Sequence, residues 1–258
     1  MQVREAGHEV AREFARSTYA QVLADVPDAL FPYWARTSQQ EFPGIPRDAS
    51  FFAQSAEGLM MFFDCAAGSR KTCALPSRAA DSVWHAWMRL EEVGLHRFCI
   101  RHFGKIIAHV EKAKMGAGMN AALAVCLVHA RRRASQPAAG PHLPRLFGLD
   151  AQLGMPRGFG YGMVGGMLAC STLDELGNPG TDRRLLRELS PRGLLDAGLI
   201  SEDEFRKATG IVPPEPLMTP SSFDLDLGLD GDGDGASDDG AAGDGGGACG
   251  GGGGCGGS

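Results

Sequence analysis

No stretch of this sequence is apolar for long enough to cross a bilayer. The longest candidate, residues 115–130, is about 16 residues and contains Asn120 and His129, short of the roughly 20 that a spanning helix needs. Arg131, Arg132 and Arg133 follow it as they would follow an anchor, but the length and the internal polar groups predict a buried helix. The opening MQVREAGHEVAREF is charged at short intervals and lacks the uninterrupted apolar run of a signal peptide. A cytoplasmic chain with no membrane partner is expected. Lysine and arginine are absent after Lys207, where nine acids from Glu215 to Asp244 lie. The body therefore carries a net charge of +3 and the tail −9, so the overall −6 describes neither part. Nothing in that balance points to nucleic acid.

Close-spaced cysteine pairs are missing as well. Cys65, Cys73, Cys99, Cys126 and Cys170 are scattered in apolar settings, which reads as reduced, buried thiols and not as a disulfide framework. Cys249 and Cys255 stand among glycines that cannot bury them, as reactive thiols or ligands. The glycines between Gly148 and Gly166 form no GxxxxGK[ST] loop, so close backbone packing is the expected role of that segment.

What is present is mostly helical periodicity. Residues 5–26 alternate apolar and charged positions as one amphipathic helix does. A short helix is predicted over 34–41 and a core helix over 51–65. Ser77 is the expected N-cap of a helix ending at Gly94, with Asp81 in its first turn. A second helix over 95–114 would close a hairpin, and a third would cover 115–133. Ser190-Pro191 and the capping box Ser201 to Glu204 start two further short helices. The expected fold is mainly α. A compact helical domain (1–133) leads to a linker and irregular Gly-rich segment (134–180), a C-terminal helical hairpin (181–210) and a disordered acidic Gly/Asp/Cys tail (211–258).

One cluster carries candidate chemistry. Asp81 and His85 are four apart on a helix, the spacing at which a carboxylate orients an imidazole. With the helix continued to 114, Cys99, His102 and His109 share the core-facing stripe. Closing the hairpin would bring His85 to Cys99 and His109, a His/Cys/His set with Asp81 as fourth ligand or as orienting partner. Such a set suits zinc or another divalent metal, although the spacing matches no standard zinc motif. Two other readings stand beside it: satisfied core histidines with Cys99 as a small hydrophobe, and a metal-free catalytic Cys/His pair.

The run CALPSRAADSVWHAWMRLEEVGLHRFCIRHFGKIIAHVE resembles a segment of the glycine-rich domain-containing proteins of plants and their bacterial relatives, at Pro76, Ser77, Asp81, Trp84, His85, Phe98, Cys99, Phe103, Gly104 and His109. The later LPRLFGLDAQLGMPRGF and the Gly/Cys-rich ending resemble the bacterial members. Trp87 and Ala108 stand where the resemblance implies further histidines. It implies a shared domain, with links in plants to development and stress responses and no agreed reaction.

In the tail, Asp230, Asp232, Asp234 and Gly235 open like a calcium loop, but Ala241 takes the twelfth position, where a bidentate glutamate is needed. Two functional expectations follow. The first is a non-catalytic helical interaction module, holding a structural metal and meeting a protein partner through the tail or the hairpin. The second is a metal-dependent enzyme using Asp81, His85, Cys99 and His109.

Overall fold

The computed structural model describes residues 2–110 and 118–210. Its contacts divide the chain at Pro213, and every described residue belongs to the N-terminal unit. The expectations for the tail, including Cys249 and Cys255, lie outside the described residues.

Where the periodicity predicts one helix over 5–26, two form: α1 (Gln2–Arg16) and α2 (Ala20–Leu23). Ser17 separates them. Its hydroxyl accepts from the Tyr19 amide at 3.0 Å and donates to Glu57 at 2.7 Å, side-chain bonding that competes with helix continuation. α3 (Leu30–Thr37) passes into a 3-10 turn, Ser38–Gln40. α4 (Ala49–Gly68) is buried on nearly every side and is capped by Asp48, which accepts from the Phe51 amide at 2.9 Å. It packs against α1 and against α5 (Arg78–Phe103). It also packs against the helix Arg145–Leu153, and Gly58 allows that approach, since a Cβ there would run into Leu149. Trp34, fully buried, stacks among Phe31, Phe51 and Phe52 and donates from Nε1 to Ser82 Oγ at 2.9 Å, tying α3 to α5.

Ser77 caps α5 as the sequence predicts, accepting from the Ala80 amide. The hairpin turn comes at Glu91 and not at Gly94: φ −163° and ψ 79° interrupt the helix there. The two limbs fold back on each other. Trp87 and Phe98 bring ring centroids to 4.7 Å, whereas an unbroken helix would hold those positions roughly 16 Å apart along its axis. The return limb does not run to 114. It stops at Phe103, because Gly104 takes a left-handed conformation (φ 76°) and its amide donates to Ile100 O at 3.0 Å, the usual glycine stop. Residues 106–110 carry no helix.

α6 (Met119–Arg133) is the predicted buried helix, and no helix among the described residues is long and apolar enough to cross a membrane. Arg131 is buried and donates to Ala138 O and His142 O, so residues 134–144 are folded onto α6. The Gly-rich segment resolves into α7 (Arg145–Leu153) and an antiparallel sheet in the order β1 (Phe159–Val164), β2 (Met167–Thr172), β3 (Arg184–Leu185). Gly165-Gly166, both at positive φ, make the two-residue turn between β1 and β2. A 3-10 turn (Arg187–Leu189) leads to α8 (Pro191–Asp196) and α9 (Glu202–Thr209), whose capping box forms as expected. The described body is mainly α, with one small sheet that the sequence reading lacked. Its hydrophobic core is a single cluster from Val10 to Ile200.

Candidate metal centre

The first turn of α5 is fixed by a carboxylate from α7. Asp150, almost wholly buried, accepts from the Ser77 hydroxyl (2.6 Å) and from the amides of Arg78 (2.9 Å), Ala79 (3.0 Å) and Phe159 (2.9 Å). A helix start leaves its amides without partners and favours negative charge. One side chain therefore satisfies that end of α5 and joins it to β1. Burial raises the pKa of Asp150 against the pull of these donors.

On the limb so anchored, Asp81 and His85 face the same way. His109 reaches them from the non-helical segment beyond Gly104. His109 Nε2 lies 3.0 Å from Asp81 Oδ1 and 3.2 Å from His85 Nε2, and His85 Nε2 lies 3.6 Å from Asp81 Oδ1. Donors bound tetrahedrally at about 2.0–2.1 Å are separated by about 3.4 Å. The triangle of Asp81, His85 and His109 thus has the size of one face of a zinc coordination sphere. Without an ion, His109 Nε2–H donates to Asp81 and the triangle is a hydrogen-bonded cluster.

Both rings are held from outside. Glu41 Oε2 lies 2.8 Å from His85 Nδ1, so His85 donates there and keeps its Nε2 lone pair toward the triangle. This carboxylate–histidine pairing is the arrangement that orients metal-bound imidazoles. Glu41 is in turn ion-paired with Arg89. Phe42 meets the His85 ring edge-on at 5.8 Å, and Trp84 meets His109 edge-on at 4.6 Å. The side chains of Asp81, His85 and His109 are 15–31% exposed, enough for an ion or solvent to reach them.

Cys99, expected as a ligand, is not among the donors that converge. The expectation assumed a helix through 114; with the helix ended at Phe103, Cys99 stays in the core while His109 swings to Asp81. Its environment is apolar, and burial pushes the thiol up to about 11 against a hydrogen bond with the Ile107 backbone. It is thus protonated at neutral pH, unsuited to the nucleophile's role. His102 instead meets Asp25 at 3.0 Å. The sequence reading missed Glu41, which is remote in the chain and carries no local signal.

The triangle opens on a cavity of about 750 Å3. Phe62, Trp84, Phe159 and Tyr161 form much of its apolar wall, and Arg78, Arg157 and Arg184 bring positive charge to it.

A family model described as UCP032817-like matches residues 39–177, a span that includes Glu41, Arg78, Asp81, His85, His109 and Asp150. No curated protein matches the chain, and no solved structure does.

Proposed function

The chain belongs to the UCP032817-like family, and we propose that it is a metal-dependent enzyme whose single divalent ion, zinc or a similar borderline metal, is held by Asp81, His85 and His109. The convergence of those three donor atoms at the wall of the cavity carries this reading. Three protein ligands with a remaining open position are the pattern of catalytic metal sites, whereas structural zinc sites are closed by four. Held by these three residues, a divalent ion would supply Lewis-acid chemistry, lowering the pKa of a bound water or polarising an oxygen of a substrate. Glu41 fixes the tautomer of His85, and Trp84 fixes the ring of His109. On this reading the WH and terminal His positions that resemble glycine-rich domain-containing proteins form the metal-binding part of a shared domain.

The interaction-module reading with a structural ion is less well supported. Among the described residues only three donors converge, and they face a cavity large enough for a small molecule. The test is elemental analysis of the full chain purified without chelators and after reconstitution with zinc, manganese or iron(II). One ion per chain is expected, with loss in Asp81→Ala and His109→Ala. Absence of a stoichiometric ion under every loading condition would overturn the metal reading.

A further inference from the structure

Arg78, Asp81 and His85 are spaced i, i+3 and i+7 on the first limb of α5, and so share one stripe. Arg78 therefore stands on the same face as the proposed ligands, one turn toward the helix start. Its guanidinium lies over the Phe42 ring at 5.4 Å, and the same ring meets His85 edge-on at 5.8 Å. A single aromatic ring separates the cation from the metal ligand.

The partners of Arg78 are unusual for a half-buried guanidinium. Among the described residues no carboxylate pairs with its guanidinium, and its Nε is buried without a hydrogen bond. The nearby helix start cannot account for an anion either, because Asp150 already takes those amides. Arg184 lines the same cavity, also without an ion pair among the described residues, while Arg157 is paired with Glu175. Buried donors ordinarily find acceptors, and guanidinium groups match carboxylates and phosphates through paired N–H donors.

We infer that the cavity binds a small anionic molecule with an apolar body, its carboxylate or phosphate held by Arg78 with help from Arg184 and its body against Phe62, Trp84, Phe159 and Tyr161. A cavity of about 750 Å3 suits a ligand of that size. The Arg78 contact leaves the rest of the molecule within reach of Asp81, His85 and His109. The inference rests on the proposed metal site only for where the reacting group would lie; the anion contact itself belongs to Arg78.

Benzoate and phenylphosphonate are suitable probes, with benzyl alcohol as the uncharged control and inorganic phosphate as the anion without a body. Calorimetric titration of the full chain, zinc-loaded and chelator-treated, separates binding at Arg78 from binding at an ion. One of the two aromatic anions is expected to bind in both forms, at least tenfold more tightly than benzyl alcohol or inorganic phosphate, and the preferred one identifies the headgroup. Arg78→Gln should weaken it by roughly tenfold to a hundredfold, the range for a charged hydrogen bond, with the metal stoichiometry unchanged. Arg78→Lys, which keeps the charge and loses the paired donors, should fall between. Equal affinity in native chain and Arg78→Gln, or no preference for the anions over benzyl alcohol, would overturn the inference and leave the metal site standing. Failure to load an ion while the Arg78-dependent binding persists would overturn the metal reading alone.

Discussion

His85 shows how much a single tautomer decides. With Nδ1 committed to Glu41 at 2.8 Å, Nε2 is left as the acceptor that a metal requires. Removing such an orienting carboxylate costs metal affinity without abolishing it, so Glu41→Ala should weaken zinc binding by about 10- to 100-fold. Competition with a chromogenic chelator measures this. Cys99→Ala is the contrasting case: the thiol is fully buried away from the triangle, and zinc affinity should stay within about twofold while stability falls by about 1 kcal/mol. A large loss of zinc affinity in Cys99→Ala would restore the His/Cys/His set. Asp150 makes the largest difference to folding among these polar side chains. Asp150→Ala strands the Ser77 hydroxyl and three amides; the bonds of Ser77 and Ala79 are buried and those of Arg78 and Phe159 partly so. A loss of about 3 kcal/mol or more in urea unfolding is expected.

At the scale of elements, Gly104 places His109. Its left-handed φ of 76° ends the return limb of α5, and a side chain there meets no neighbour, so strain alone sets the cost of replacing it. Gly104→Ala should lower stability by about 1 kcal/mol, and Gly104→Asn by less, because asparagine tolerates this conformation. Equal stability of Gly104→Ala and the native chain would show that another conformation serves equally well. The same residue explains what the sequence concealed. Gly94 and Gly104 both interrupt an apolar pattern, and periodicity alone does not say which one stops a helix. The hairpin itself was legible from Ser77, Asp81 and the run of apolar positions. So was the placing of Asp81 and His85 on one face, which needs only helical spacing; the orienting carboxylate on His85, however, is Glu41 at 2.8 Å, while Asp81 stands 3.6 Å from the ring. Cys99 was misplaced because one helix was extended past its glycine stop. The sheet was hidden differently: Gly165-Gly166 between YGMV and MLAC is a hairpin signal, masked by the surrounding glycines. Glu41 and Asp150 were illegible as partners of α5, since His85 lies 44 positions from Glu41 and Ser77 lies 73 from Asp150.

Over the whole molecule, the proposed ion would act as a clasp between two segments, the first limb of α5 and the stretch that carries His109. Asp81 and His85 belong to the anchored limb of α5, whereas His109 belongs to the stretch after Gly104. The unfolded chain cannot hold three such donors together, so binding should be linked to folding. An ion at 100 times its dissociation constant stabilises the native state by about 2.7 kcal/mol. For a body of this size that corresponds to a rise of roughly 5–10 °C in the unfolding midpoint. The core that must melt is one cluster within 10–200, so a chain ending at Gly210 should show the same metal-dependent rise as the full chain. Differential scanning calorimetry of both forms, with zinc and with chelator, measures it. A rise confined to the full chain would assign the ion to residues after Gly210, where Cys249 and Cys255 lie. A rise in both forms that disappears in His109→Ala would assign it to the triangle.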